Sequence, residues 1–243
     1  MTLAAYIGPV AFAAPGVLSW QDLEAAIAQG NAWEPEPWEP MPAGLSPRQA
    51  KRLSPAIRLA FASAEALGEV PEETAWVFAS SVGEGETLDV ILRGLSTQDM
   101  MIQPLRFQNA VHNAASGQWS IAAGITGPVT SIAAYDETVG AGLVKALTQA
   151  WVERRPVALI CFDAPIPVPL DEKRPLGVPM AAGLLLRPDA GEGYLARISC
   201  TVGPVEVTAP ESSIAQALLA TGNPIAAILP LLECLSQRRA GKI

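Results

Sequence analysis

The chain has few of the residues that carry common catalytic and metal chemistry. Its 243 residues include one histidine and three cysteines. Cys161, Cys200 and Cys234 lie far apart, and no C-x-x-C pair indicates a zinc site or a disulfide framework. We therefore expect no metal and no cofactor. Unpaired, scattered cysteines are typical of a reducing compartment, so we expect a cytoplasmic protein.

Concentrated positive charge and long apolar runs are also missing. The net charge is -8, the basic residues are scattered, and Arg238, Arg239 and Lys242 form only a short basic tail. Nucleic-acid phosphates require a cationic face, so we expect no nucleic-acid partner. No segment approaches the roughly 18 to 20 apolar residues of a membrane span, and the N-terminus lacks the basic region of a secretion signal. We expect neither a membrane span nor secretion.

Apolar residues, by contrast, are abundant. They make up 50% of the chain, while charged residues make up 16%. This composition is more apolar than a soluble monomer needs, so we expect a partner to cover part of the surface. The length suffices for one continuous core, and we expect residues 1–243 to form a single domain.

Short apolar runs alternate with helical patterns through the middle of the chain. This βαβαβ order predicts a layered α/β fold with a covered, mixed sheet. Two later runs, joined across a turn at 188–191, predict an antiparallel pair at an edge of the sheet. The expected strands are 3–14, 76–81, 129–134, 156–162, 180–186 and 194–202, and the expected helices begin near residues 20, 46, 87, 105, 139, 212 and 225.

Proline affects two local features, the start of one helix and the conformation of segment 31–40. Pro55 lies within the helix expected from Ser46 onwards, and it marks either a kink or the true start of the helix, with Ser54 as its cap. Segment 31–40 contains three prolines and several acidic residues. We interpret it as a surface loop that is held in place by Trp33 and Trp38.

The run from Gly127 to Asp136 places an acidic residue where a strand meets the next helix. A carboxylate there can cap the helix by accepting backbone N–H bonds, and this is the interpretation that we favour. A general base, or a polar plug in a tunnel, is the alternative. His112, expected in the helix over 105–125, has no second ligand spaced for a metal, so we expect a hydrogen-bonded structural role.

Three segments together resemble the β-ketoacyl synthases of the thiolase fold. They are residues 104–117 (PLRFQNAVHNAASG), residues 124–128 (GITGP) and the strand that leads to Asp136. The similarity extends from Trp76 to Pro165 and covers the N-terminal half of that fold. It is strongest to the short subunits called chain length factors, which accompany a true ketosynthase in aryl polyene pathways. The resemblance implies one thiolase-like half.

The resemblance also implies that this chain has no catalytic residue. In active members a cysteine occupies the position of Asp136, and two histidines come from a second half of the fold; His112 matches neither. A carboxylate is a weak nucleophile toward thioesters. The family therefore implies a pseudoenzyme that forms a heterodimer with an active β-ketoacyl synthase and shapes its acyl tunnel in polyene, fatty acid or polyketide biosynthesis. The acyl carrier protein is then an indirect partner.

Two groups of site residues follow from the resemblance. The first would lie near the tunnel or pocket, and the second would form the strand that pairs with the partner across a twofold axis. An open strand of this kind requires a partner to cover it. The pocket candidates are Phe107, His112, Trp119, Tyr135 and Asp136, and the interface candidates are Val129, Thr130, Ser131, Ile132, Ala133, Ala134 and Tyr135.

Two other functions stay open on the sequence. A stand-alone acyl-thioester hydrolase or decarboxylase could use Asp136 as a base, with His112 as its only obvious companion. A homodimeric module could bind a small molecule or a carrier. A serine hydrolase is excluded because no G-x-S-x-G motif is present. Cys161 lies within an apolar run, where we expect an inert thiol.

Overall fold

The computed structural model describes residues 2–97, 102, 104–201, 203 and 208–242. Six strands and nine helices occur in these ranges, together with two 3-10 turns at Tyr135–Glu137 and Pro224–Ile228. The strands are β1 (Thr2–Ala13), β2 (Ala75–Ala79), β3 (Val129–Ile132), β4 (Val157–Asp163), β5 (Met180–Arg187) and β6 (Ala196–Thr201). The helices are α1 (Trp20–Gln29), α2 (Pro47–Ala50), α3 (Pro55–Glu65), α4 (Gly85–Leu95), α5 (Pro104–Asn109), α6 (Ala114–Ala122), α7 (Thr138–Glu153), α8 (Ser213–Leu219) and α9 (Leu229–Ser236).

The strands form one mixed sheet in the order β3-β2-β4-β5-β1-β6. Strands β3, β2 and β4 are parallel, whereas β5, β1 and β6 add antiparallel pairings. Helices cover both faces, with α1, α7, α8 and α9 on one core and α3 and α6 on the other. The layered α/β fold with a covered mixed sheet is therefore confirmed.

The prediction that segments 180–186 and 194–202 pair with each other is wrong. Strand β1 lies between them: Ala13 pairs with Ala181 of β5, and Ile7 pairs with Ala196 of β6. Both strands are antiparallel to β1, so they are parallel to each other and cannot form a hairpin. The 12-residue β1 is long enough to pair with β5 on one side and β6 on the other.

Proline and turn residues set the helix boundaries. Pro55 is the true start of α3, because the hydroxyl of Ser54 accepts a hydrogen bond from the Ile57 backbone N–H at 3.2 Å. The single helix expected over 105–125 is wrong: α5 and α6 are separated at residues 110–113. His112 lies in this break, where its ring bonds to the end of β2 instead of facing along a helix.

The proline-rich segment 31–40 is a loop, as predicted. Trp33 Nε1 donates to the Pro15 carbonyl oxygen at 2.8 Å, and the ring packs on the core under α1 and α7. Trp38 packs against the other core, under α3. The two tryptophans therefore fix the loop at both ends. Within the described ranges, every helix is too short or too polar to cross a membrane.

Glu233 anchors the C-terminal helices. It is 1% exposed, and its carboxylate accepts from the backbone N–H groups of Glu211 at 2.8 Å and Ser212 at 2.6 Å. Arg239 Nη2 lies 3.6 Å from the carboxylate. Burial raises the pKa of Glu233, but these donors and the Arg239 charge outweigh it and leave the pKa below its usual value of 4.5.

We expect Glu233→Gln to show a pH-dependent loss of stability. Because the pKa of Glu233 is lower in the folded chain, the unfolded chain binds the proton more tightly. The stabilisation from the ionised carboxylate is therefore present above pH 4.5, and it is lost as the pH falls through the pKa of the folded chain. At pH 7 the substitution should reduce the free energy of unfolding by about 1–3 kcal/mol. Urea unfolding at pH 7 and at about pH 3.5 measures this, and the deficit should shrink at the lower pH. Exposed Glu192→Gln is the control; a deficit of equal size at both pH values would contradict the assignment.

Candidate functional site

The candidate site lies at the carboxyl ends of the three parallel strands. Ser80 and Ser81 follow β2, Tyr135 and Asp136 follow β3, and Asp163 is the last residue of β4. Parallel strands end at the same edge of a sheet, which is where ligands bind in open α/β folds. The sheet topology therefore collects residues that are far apart in the sequence.

Asp136 lies in the 3-10 turn between β3 and α7, and it does not cap α7. The turn has no side-chain cap, and α7 begins two residues later at Thr138. The Thr138 hydroxyl accepts from the Ala134 backbone N–H at 3.0 Å and donates to the Tyr135 carbonyl at 2.7 Å, so it fixes the turn. The N-cap interpretation of Asp136 is wrong, because the extra turn moves the carboxylate away from the first free N–H groups of the helix.

Arg174 holds Asp136 in place. Its Nη1 donates to Asp136 Oδ1 at 2.5 Å, and its guanidinium carbon lies 3.7 Å from the centre of the Tyr135 ring. The Arg174 side chain is 14% exposed, while that of Asp136 is 65% exposed. A charge-assisted bond and a cation–π contact thus fix the same guanidinium. The ion pair engages Oδ1 of Asp136 and fixes the orientation of the carboxylate.

Tyr135 has an unusual backbone. Its φ is +55°, in the left-handed region that large side chains rarely adopt. The conformation turns the ring, which is 60% exposed, toward Arg174. Such a strained position persists only where its surroundings hold it, and here the Thr138 and Arg174 contacts do so. The sequence showed Tyr135 and Asp136 but gave no signal for Arg174, which is 38 residues further along the chain.

A second, buried group lies between the ends of β2 and β4. Asp163 is fully buried, and its Oδ1 accepts from the Ser80 hydroxyl at 2.7 Å and from the Ser81 backbone N–H at 2.9 Å. The Val82 N–H is 3.4 Å away. Burial raises the pKa of the Asp163 carboxyl, and the hydrogen bonds oppose that rise. Sequence reasoning missed this group, because only the folded sheet brings Asp163 beside Ser80.

The same group explains the positions of Ser80 and His112. Ser80 is 1% exposed and donates to Asp163, so a substrate cannot reach its hydroxyl. His112 Nε2 lies 2.9 Å from the Ser80 carbonyl oxygen, which accepts the proton of that nitrogen. The hydrogen-bonded structural role expected for His112 agrees with this contact. No serine–histidine pair suited to hydrolysis is formed here.

The remaining pocket candidates lie in different surroundings. Phe107 of α5 is 63% exposed. Trp119 is in the core under α6, and its ring centre lies 5.1 Å from that of Phe61 and 5.2 Å from that of Trp76. The structure therefore brings Tyr135 and Asp136 together with Arg174, but it places Trp119 in the packed core.

Cys161 cannot replace the missing thiol. It is fully buried in β4, and burial, together with the nearby Asp163 charge, raises its pKa to about 12. The prediction of an inert thiol is confirmed. Across the described ranges, no three histidine, cysteine or acidic side chains lie close enough together to hold a metal ion.

Strand β3 leaves one edge of the sheet open. Within the described chain it pairs only with β2, through bonds such as Trp76 N to Pro128 O at 2.9 Å and Ser80 N to Ile132 O at 3.2 Å. The alternate backbone groups, those of Val129 and Ser131, point to the open side. Helix α6 packs beside β3 through a 2.7 Å bond between the Ser116 and Ser131 hydroxyls.

Large apolar side chains are exposed on α6, which packs beside β3, and on α4 and α5. Ile121 of α6 is 83% exposed, and helix α4, which packs against α5, exposes three leucines at helical spacing. The exposed members are Leu88, Leu92 and Leu95 of α4, Phe107 of α5 and Ile121 of α6.

Comparisons with known proteins agree with this geometry. No curated protein matches the chain. A solved structure of a ketosynthase (ApeO) in complex with its chain length factor (ApeC) from Xenorhabdus doucetiae contains a chain that is 29% identical, with a TM-score of 0.68, and the match covers 78% of this chain and 81% of that chain.

More distant structures share the fold. The ishigamide ketosynthase/chain length factor is 15% identical with a TM-score of 0.64, and a type II polyketide ketosynthase bound to its acyl-carrier protein and a hexaketide (AntDE:AntF) is 11% identical with a TM-score of 0.59. The first match covers 79% of this chain and 64% of the other, and the second covers 77% and 63%. The chain thus spans just under two thirds of these two relatives.

The family model of the β-ketoacyl synthase N-terminal domain matches residues 20–240, which include the parallel strands, Asp136 and the open edge of β3. The match therefore extends over every strand except β1 and over the covering helices. The chain belongs to the β-ketoacyl synthase family, in the part that forms its N-terminal domain.

Proposed function

We propose that this chain is a non-catalytic chain length factor that pairs with an active β-ketoacyl synthase. The observation that carries the proposal is the ion pair at Asp136: the residue at the family's nucleophile position is an aspartate, and Arg174 already binds its carboxylate. A carboxylate attacks thioesters poorly, and this one is also engaged. Cys161 is fully buried in β4, and burial raises the pKa of its thiol to about 12.

The open edge of β3 supports a heterodimer. A partner strand would satisfy the free backbone groups of Val129 and Ser131, and apolar contacts would cover Ile121 and Phe107. The matched chain from the Xenorhabdus doucetiae complex is covered to nearly the same extent as this one, so the two are similar in length. A partner from the same family explains the high apolar content of the sequence.

The second part of the proposal concerns product length. Tyr135, Asp136 and Arg174 would form the wall at the end of the partner's acyl tunnel, where a polyene or polyketide chain grows on a carrier protein in the cytoplasm. Each added methylene in an apolar tunnel is worth about 1–3 kcal/mol, so a bulky, fixed wall discriminates between chain lengths. The cation–π contact fixes the Tyr135 ring, which a length-setting wall requires.

We expect Tyr135→Ala and Phe107→Ala to lengthen the product. Removing either ring would extend the tunnel and shift the product distribution by one or more two-carbon units. Mass spectrometry of acyl chains released from the complex measures the shift. Tyr194→Ala is the matched control, because Tyr194 is also exposed but lies on the β5–β6 connection. An unchanged distribution in both variants, with the complex intact by native mass, would contradict the length-setting role.

The pairing itself is tested by co-expression with a candidate ketosynthase. The proposal predicts a one-to-one complex by native mass, and condensing activity with acyl carrier protein only when both chains are present. A stable homodimer that does not bind the ketosynthase would instead favour the homodimeric module that binds a small molecule or a carrier. Thioester hydrolysis by the isolated chain, abolished by Asp136→Asn, would make Asp136 a catalytic base and overturn the proposal.

A further inference from the structure

Thr138, the first residue of α7, is fully buried behind the turn that carries Tyr135 and Asp136. Its hydroxyl accepts from the Ala134 backbone N–H at 3.0 Å and donates to the Tyr135 carbonyl oxygen at 2.7 Å. One side-chain oxygen thus bonds the backbone of both residues that precede Asp136. Neither the pocket candidates nor the interface candidates include this residue.

The two bonds act on a strained backbone. Tyr135 has a φ of +55°, in the left-handed region that is unfavourable for a residue with a Cβ atom. Such a conformation persists only where surrounding contacts hold it. Without the Thr138 hydroxyl, the Ala134 N–H and the Tyr135 carbonyl would both lose their partner, and residue 135 would relax toward negative φ. A change in φ turns the Cα–Cβ bond, so the tyrosine ring would move with it.

The position of the Tyr135 ring also affects Arg174. The guanidinium carbon lies 3.7 Å from the centre of the ring, and Nη1 donates to Asp136 Oδ1 at 2.5 Å. The other two guanidinium nitrogens, Nε and Nη2, are buried and have no hydrogen-bond partner among the described atoms. A displaced ring would therefore remove one of the two contacts that fix the guanidinium.

We propose that Thr138 is a positioning residue that sets product length without contacting the acyl chain. The inference rests on the proposed function, in which Tyr135 forms part of the tunnel wall. A ring fixed by its backbone presents a constant surface to the end of the growing chain, whereas a ring on a relaxed backbone gives way to further carbon units. Because Thr138 is fully buried, its hydroxyl acts through Tyr135.

Two variants separate the Thr138 hydroxyl from the rest of the side chain. Thr138→Val keeps the shape of threonine and lacks the hydroxyl, whereas Thr138→Ser keeps the hydroxyl and lacks the methyl group. Thr148→Val makes the same change at an exposed position of α7 and is the matched control. Thermal unfolding checks that each protein remains folded.

The first measurement uses the isolated full chain, so it does not depend on a ketosynthase. The Arg174 Nε–H signal, assigned with Arg174→Lys, is followed by NMR. Because the guanidinium lies over the Tyr135 ring, the ring current shifts this signal upfield. We expect the upfield shift to be lost in Thr138→Val and kept in Thr138→Ser and Thr148→Val. An upfield shift that survives in Thr138→Val would overturn the inference.

Hydrogen exchange of the unmodified chain gives a test that holds even if Thr138→Val does not fold. The Ala134 amide is bonded to the Thr138 hydroxyl, so we expect it to be protected from exchange. An Ala134 amide that exchanges as fast as a free amide would show that the hydroxyl does not hold this turn, and it would overturn the inference.

The second measurement is product length in the complex co-expressed with the ketosynthase. An apolar pocket discriminates one methylene by about 10- to 200-fold, and a displaced ring should lose part of this, so the share of longer product should rise by about three- to tenfold in Thr138→Val. Thr138→Ser and Thr148→Val should keep the normal distribution. If Tyr135→Ala lengthens the product and Thr138→Val does not, the inference is wrong and the proposed wall stands. If neither variant lengthens it, the length-setting role of Tyr135 is wrong and the inference fails with it.

Discussion

Replacing Ile121 by glutamate should weaken association with the ketosynthase by about 100-fold or more. Ile121 is 83% exposed in the isolated chain, so the substitution leaves the core intact. In the proposed heterodimer the side chain lies in an apolar contact beside β3, and a carboxylate there would be buried without a cation. Burial of an unpaired charge costs several kcal/mol, which is enough for this loss of affinity.

Val152→Glu is the matched control for this change. Val152 is also exposed, at 65%, but it lies at the C-terminal end of α7, away from β3. Native mass and surface-binding measurements with the purified ketosynthase should show normal assembly for Val152→Glu and none for Ile121→Glu. Equal behaviour of the two variants would place the interface elsewhere, and thermal unfolding of both proteins checks that each remains folded.

Asp163→Ala should reduce the free energy of unfolding by about 3–5 kcal/mol. The change removes the acceptor of the buried Ser80 hydroxyl and of the part-buried Ser81 and Val82 N–H groups, and it leaves these donors without that partner. Each unsatisfied buried donor costs about 1–3 kcal/mol. The turn after β2, to which His112 is bonded, would loosen as a result.

Two further variants separate the Asp163 hydrogen bonds from simple loss of charge. Asp163→Asn keeps one acceptor oxygen and should cost less than alanine. Asp189→Ala removes a carboxylate from an exposed ion pair with Arg154 and should change the free energy of unfolding by less than about 1 kcal/mol. Urea unfolding measures all three proteins. If Asp163→Ala were as mild as Asp189→Ala, the buried hydrogen bonds would not stabilise this end of the sheet.

The sequence predicts the parts of the fold that depend on local patterns. The β-branched run of β3, the apolar β4 and the stripe of α7 follow from residue periodicity, and the position of Asp136 between strand and helix follows from their order. The placement of β1 between β5 and β6 does not, because strand order depends on contacts between distant segments. The two consecutive segments therefore predict a hairpin that the sheet does not contain, because β5 and β6 each pair with β1.

In the candidate site, too, local patterns identify single residues but not the contacts between distant segments. Asp136 could be identified from the residues around it, but its partner Arg174 comes from an irregular, proline-rich connection with no periodic signal. Asp163 and Ser80 are 83 residues apart and meet only because β2 and β4 are adjacent. Whether Asp136 caps a helix or joins an ion pair depends on one extra turn, which residue preferences do not determine.

The location of the acyl group during turnover tests the central claim most directly. The co-expressed complex is incubated with an acyl thioester, and the intact mass of each chain is measured. The account predicts an acyl adduct on the ketosynthase alone and an unmodified mass for this chain. An adduct on this chain that disappears in Asp136→Asn would show that Asp136 is a nucleophile and would contradict the non-catalytic role.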